Sequence, residues 1–333
     1  MGILEIPLDE EDWRYHKSFS VDQVERGDAA DFFNVYGFVI VRDAYSDSEA
    51  LLQDMITYLQ EQDESVQRDD PATWPLTRFG MPVGAKAMFR PSLLRLRQDE
   101  SVCRAFAAVL GLHHQEIVCN HDRWLLHRPA GNHKEWESPR NVHLDLNPFI
   151  VDDTKHQSKV RQRLSSLRYS KPDLGDFISE NNDVHSSMGT SVQGLLNLRD
   201  LPLGRNGGGT IVVPGSHVPG QWPTLRKDGR AEGAMQYRIE KHLADQAQNV
   251  AIRAGSLLIW NQRLIHGSTP NMRRNVKALR AAVPIRFFHK DLLKDQKERA
   301  KSRAATISRE LRRNGFQDDL SDLGRSVFGL DLM

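Results

Sequence analysis

Apolar residues recur at helical spacing in the first third of the chain and at strand spacing after it. Ser20–Ala29 carries Val21, Val24 and Ala29 among charges, which predicts a short helix. Asp31–Arg42 turns at Gly37 into the β-rich run Phe38–Val41. Asp47–Gln60 returns to helical spacing through Leu51, Leu52, Met55, Ile56 and Leu59, and Ser101–Leu112 is a further helix ended by Gly111. From Ile117 the period changes. Strands are predicted at Ile117–Asn120, Trp124–His127, Val142–Leu146, Ser191–Leu198, Thr210–Val213, Ser256–Trp260 and Ala278–Phe288. The turns between them are rich in Gly, Pro and Asn: Pro129–Gly131, Asn206–Gly209, Pro214–Gly215 and Pro270–Asn271. Many short strands with such turns predict a sandwich or barrel of the jelly-roll type, with the earlier helices packed outside.

Two segments stand apart from that core. Asp152–Val184 is polar and charged, and a long insertion of this kind is either a lid or a plain surface loop; the sequence leaves both open. Lys290–Asn314 is a charged helix with a thin apolar stripe of Leu292, Leu293, Ala300, Ala304, Ile307 and Leu311. The stripe predicts a surface helix docked on the barrel, with an oligomer contact as the alternative; a monomer or a homodimer is expected. The 333 residues are read as one catalytic domain, mostly β with flanking helices, its core at about 86–288 and its helical tail at 290–333.

Composition narrows the function. Apolar residues make up 39% and charged residues 27%, which is ordinary for a soluble globular chain. A net charge of +1 gives no field that favours nucleic acid or an acidic membrane, so neither is expected as a partner. Cys103 and Cys119 are the two cysteines, too few for a secreted disulfide framework or a thiolate zinc site. The N-terminus has no basic start followed by an apolar run, and no stretch reaches the ~20 apolar residues of a membrane span. A cytoplasmic setting and a small-molecule substrate are the expectation.

Three signals carry chemistry. In His143-Leu-Asp145 the imidazole and the carboxylate lie two apart, so on a strand they share a face. His266 follows the strand Ser256–Trp260 and is expected to begin a turn. Two histidines and one carboxylate can occupy one face of an octahedral iron and leave three positions open, or hold zinc with a water in its fourth position. The third signal is Arg280, flanked on its face by Ala278 and Ala282, which leave room for a guanidinium fork to grip a carboxylate.

Together with further motifs these residues resemble the phytanoyl-CoA dioxygenase family of iron(II)/2-oxoglutarate oxygenases, over about Lys86–Phe288. The carrying motifs are Lys86-Ala-Met-Phe-Arg90, Trp124-Leu-Leu-His-Arg-Pro129, His143-Leu-Asp-Leu-Asn-Pro-Phe149, the Asn206–His217 run ending Pro-Gly-Ser-His, and His266-Gly-Ser268. The resemblance implies a double-stranded β-helix in which His143, Asp145 and His266 hold Fe(2+). It implies that 2-oxoglutarate pairs with Arg280 and Ser268, near Lys86 and Trp124, and that Gln193 or Asn197 packs against it. With O2, such an enzyme hydroxylates or otherwise oxidises its substrate and releases succinate and carbon dioxide. The family's arginine usually follows the distal histidine by about eleven residues, where Lys277 stands here; Arg280 is favoured and Arg274 is its rival. Halogenases of the family replace the metal carboxylate with a small residue, so Asp145 implies oxidation instead. His217 is read as structural. The competing readings are a cupin-type zinc hydrolase or sensor and a scaffold that binds neither metal nor cosubstrate.

Overall fold

The computed structural model describes residues 4–77, 79–82, 85–145, 158, 162, 164–169, 175–183, 191–204, 206–218, 237–239, 241–294 and 296–332. Its helices are α1 (Val21–Glu25), α2 (Ala30–Tyr36), α3 (Ser48–Gln62), α4 (Pro91–Arg97), α5 (Glu100–Leu110), α6 (Gly175–Asp183), α7 (Lys241–Ala244), α8 (Asp291–Lys294), α9 (Lys297–Arg313) and α10 (Asp322–Val327). Its strands are β1 (Phe38–Val41), β2 (Ile117–Cys119), β3 (Leu125–His127), β4 (Asn141–Leu144), β5 (Val192–Asn197), β6 (Gly207–Val212), β7 (Tyr237–Arg238), β8 (Gln248–Asn249), β9 (Leu257–Asn261), β10 (His266–Asn271), β11 (Arg280–Ile285) and β12 (Phe287–His289).

Two antiparallel five-stranded sheets form the core. One has the order β1-β9-β5-β11-β3 and the other β7-β4-β10-β6-β8, while β12 pairs with β2 alone. The chain passes repeatedly between them: β3, β5, β9 and β11 lie in the first sheet and β4, β6 and β10 in the second, with the short β7 and β8, which fall between β6 and β9 in the chain, added to the second sheet. That alternation is the roll of a double-stranded β-helix, as the strand pattern predicts. Helix α5 covers the outer face of the first sheet, where Phe106 stands over Gly194. It starts at an Asp99 N-cap and ends at left-handed Gly111, the stop read in the sequence.

The structure corrects several expected boundaries. His266 opens strand β10, not a turn. Gly, Ser, Pro and Asn are turn residues, yet this segment pairs with β4 on one side and β6 on the other, and tertiary pairing overrides local preference. Strand β4 ends at Leu144, so Asp145 stands just past it. The charged tail is broken into α8 and α9, and helix α4 has no counterpart in the pattern reading.

The tail also buries more than its apolar stripe. Arg299 and Arg303 of α9 are each 1% exposed, and both reach Glu180 of α6, at 2.7 and 3.1 Å. The Tyr169 hydroxyl donates to the same carboxylate, and Phe177 packs beside it. Much of 152–184 lies outside the described residues, but its described end is thus fastened into the core by charge. Removing one partner from a buried ion group leaves the others uncompensated and costs roughly 3–5 kcal/mol. Glu180→Ala should lower unfolding free energy by about that amount in urea titrations. A loss no larger than that of a surface substitution would refute the anchoring role.

Candidate metal and anion site

The site is built on a cross-strand pair. His266 of β10 lies opposite His143 of β4, so the two imidazoles leave the sheet on one face, their centroids 4.7 Å apart. Gly267 makes the approach possible. A Cβ there would stand 1.6 Å from the Asn141 carbonyl oxygen, so no side chain fits between the two histidine-bearing strands. Asp145 closes the cluster, with Oδ1 3.1 Å from His143 Nε2 and Oδ2 3.6 Å from His266 Nε2. One donor atom from each residue lies within 4.8 Å of the others.

The donor chemistry fits a cation. His266 Nδ1 lies 2.9 Å from the Leu264 carbonyl, which can only accept, so that nitrogen carries a proton. In the neutral ring Nε2 is then a bare lone pair turned toward a carboxylate, an arrangement that only a proton or a metal ion between them makes favourable. Burial works against charge on Asp145, but hydrogen bonds with His143 and His266 hold its carboxyl well below the usual range. Burial likewise opposes protonation of His266, and Asp145 outweighs it and raises that pKa; His143 is lowered, chiefly by burial. The Pro-Gly-Ser-His turn supports the site from behind, because Ser216 Oγ accepts from the Ile265 N–H. His217 itself meets the Asn34 carbonyl at 3.1 Å.

The first sheet supplies the opposite wall. Gln193 of β5 donates from Nε2 to Asp145 Oδ2 at 2.7 Å, and the Trp260 ring on β9 lies 5.1 Å from that of His266. Register then carries this inward face across the sheet. Asn197 lies two alternations from Gln193 and opposite Ala282, and Arg280, two before Ala282, lies opposite His127. Arg280 therefore faces the interior. It is 3% exposed, its Nη1 donates to His127 Nδ1 at 3.3 Å, and its Nε has no hydrogen-bond partner among the described residues. Burial lowers its pKa to about 10, so it remains a cation at neutral pH, with no carboxylate paired to it among the described residues.

The remaining predicted residues divide. Ser268 lies two past His266 on β10 and shares its face. Asn197 spends its amide N–H groups on the carbonyls of Arg199, Ile252 and Arg253. Trp124 is fully buried edge-on to Tyr58 of α3, which puts it in the helix-packed core and not with the cluster. Lys86 lies in the helical turn Ala85–Phe89, and its side chain is outside the described residues. Arg274 and Lys277 are exposed in the turn before β11. His127, Trp260 and Ser216 were not read as site residues. The alternation of Trp124–His127 could have placed His127 beside Arg280, but only the strand register shows it.

Known proteins bear on this geometry. Residues 185–276 match the family model for phytanoyl-CoA dioxygenase (PhyH). Over that stretch the chain is similar to the phytanoyl-CoA dioxygenase family. The PhyH match takes in Gln193, Asn197, the Asn206–His217 run, His266 and Ser268, and leaves His143, Asp145 and Arg280 outside. A Dictyostelium discoideum protein named "Putative phytanoyl-CoA dioxygenase" is 28% identical over 257 residues, 74% of this chain and 71% of that one. A hypothetical protein from Escherichia coli has a similar crystal structure, with TM-score 0.62 and 15% identity over 96% of this chain and 87% of its own. GlcNAc Inducible Gene 2 of Candida albicans gives 0.56 and 12%, over 93% and 78%. These two likenesses show the fold. Among the described residues, no helix is long and apolar enough to cross a membrane.

His127 makes a pH prediction. Burial, and then the Arg280 charge, lower its pKa from 6.5 to about 3. Between those values the unfolded chain takes a proton that the folded one refuses, so stability is full above 6.5 and falls as pH drops through the window. From pH 7 to 5 the loss is about 2 kcal/mol. Urea unfolding of His127→Gln should show a pH 7-to-5 loss smaller by that amount; equal slopes in both proteins would contradict the assignment.

Proposed function

We propose that this protein is an iron(II)- and 2-oxoglutarate-dependent oxygenase that oxidises a small-molecule metabolite. The observation that carries the reading is the pairing of two unlike sites on facing interior walls. One is a buried His-Asp-His cluster with its donors within 4.8 Å, the other a buried guanidinium with no carboxylate partner among the described residues. A zinc hydrolase would use the first and has no need for the second. The PhyH-type signature and the Dictyostelium relative favour the same class.

His143, Asp145 and His266 would hold the iron, and Arg280 with Ser268 would hold the far carboxylate of 2-oxoglutarate. Iron(II) and 2-oxoglutarate, when bound, supply the means to activate O2, and the cosubstrate leaves as succinate and carbon dioxide. The protein's own part is placement. Arg280 offers a planar fork that matches a carboxylate. His127, neutral, accepts one of its N–H groups and so aims the fork without competing for the anion. The Phe79 carbonyl at 2.9 Å from His127 Nε2 fixes the ring and its tautomer. Asp145 would supply an anionic ligand where the family's halogenases have a small residue, which fits oxidation of the substrate.

Each charge-assisted hydrogen bond contributes roughly 1.5–3 kcal/mol, so losing one weakens cosubstrate binding by roughly 10- to 150-fold. Arg280→Ala should raise the 2-oxoglutarate concentration needed for half-maximal succinate release by at least the lower figure, while Arg274→Ala leaves it unchanged. The reverse result would move the anchor to Arg274. Under argon, iron(II) with 2-oxoglutarate should give the wild type a weak visible charge-transfer band that Asp145→Ala lacks. If the wild type shows no band and no succinate release with any candidate metabolite, the oxygenase reading fails.

A further inference from the structure

We propose that Gln193 positions Asp145, under the direction of Trp260, and is not a contact to the cosubstrate. The inference rests on the metal reading above and adds what aims its carboxylate. An indole N–H can only donate. Trp260 Nε1 lies 3.2 Å from Gln193 Oε1, so the amide turns its oxygen to the indole. Its Nε2 is thereby left to face Asp145, where it donates to Oδ2 at 2.7 Å. The orientation follows from the partners, since the flipped amide would set its N–H groups against the indole N–H and its oxygen against the carboxylate and satisfy neither.

The backbone makes this relay rigid. Gln193 and Trp260 lie opposite each other across β5 and β9, and each is 7% exposed. His143 and His266 leave from paired strand residues, so the ladder sets their directions. Asp145 lies past the last paired residue of β4 and lacks that support. The Gln193 hydrogen bond stands in for it. With Oδ2 engaged by the amide, Oδ1 is the oxygen left for a cation, on the side of His143 Nε2. Trp260 touches two of the three donor residues, His266 through its ring and Asp145 through Gln193.

The test is equilibrium titration of the metal-free protein with cobalt(II) under argon, without 2-oxoglutarate or substrate. Gln193→Leu keeps approximate shape and loses the donor, and Trp260→Phe keeps a ring and loses the N–H. Loss of such an outer partner typically weakens metal binding by about 10–100-fold. Gln193→Leu should fall in that range, and Trp260→Phe should weaken binding less. Both should shift the cobalt d–d bands, while 2-oxoglutarate affinity at saturating metal stays unchanged. Wild-type cobalt affinity in Gln193→Leu overturns the proposal, as does intact metal binding with weakened 2-oxoglutarate binding, which would make Gln193 a cosubstrate contact. If circular dichroism shows that Gln193→Leu does not fold, an unchanged affinity and spectrum in Trp260→Phe overturns it. Failure of the wild type to bind cobalt would defeat the metal reading itself, and the two failures are told apart by which protein shows them.

Discussion

The site depends on one register. His143 and His266 converge because β4 and β10 pair so that these two residues face each other directly. Side chains alternate along a strand, so a slip of one residue would send one imidazole to the opposite face. Gly267 allows the two strands to close, and pairing of β10 with β6 on its other side resists slippage. Asp145, Gln193 and Trp260 are meaningful only once that pair exists.

Buried charge is used in two contrasting ways. At Glu180 each buried cation has an anionic partner: two guanidiniums and a phenol share one carboxylate, Arg303 also donates to the Phe328 and Cys119 carbonyls, and the cluster ties α6 to α9. Among the described residues Arg280 has no carboxylate partner, and a neutral histidine supplies its one side-chain hydrogen bond. Burying an unpaired cation is costly. A fold that carries such a cost inside its barrel would recover part of it on binding an anion, as the proposed cosubstrate site requires.

Much of this was legible in the sequence. The switch from helical to strand spacing near Ile117 marks the start of the strand-rich part of the chain, and the ligand-bearing motifs stand out by type and order. Arg280 is favoured over Arg274 because it starts the strand after an extended turn, and the structure buries the first and exposes the second. What could not be read is what depends on cross-strand register or on distant packing. His266 was expected to begin a turn because its neighbours prefer turns, and only β4 and β6 make the segment a strand. Trp124 was expected near the cosubstrate, but its immediate partner is Tyr58 on a helix more than sixty residues earlier in the chain. The buried role of Arg299 and Arg303 is invisible locally, since its partner Glu180 lies in an insertion that reads as polar surface.

The central claim is that one barrel holds a metal on one wall and the far end of a keto diacid on the other. Crystals grown under argon with iron(II) and 2-oxoglutarate, measured across the iron absorption edge, test it most directly. The account predicts an anomalous peak bounded by His143, Asp145 and His266, with diacid density running from it to the Arg280 guanidinium. Iron bound elsewhere, or a diacid whose far carboxylate avoids Arg280, would contradict it.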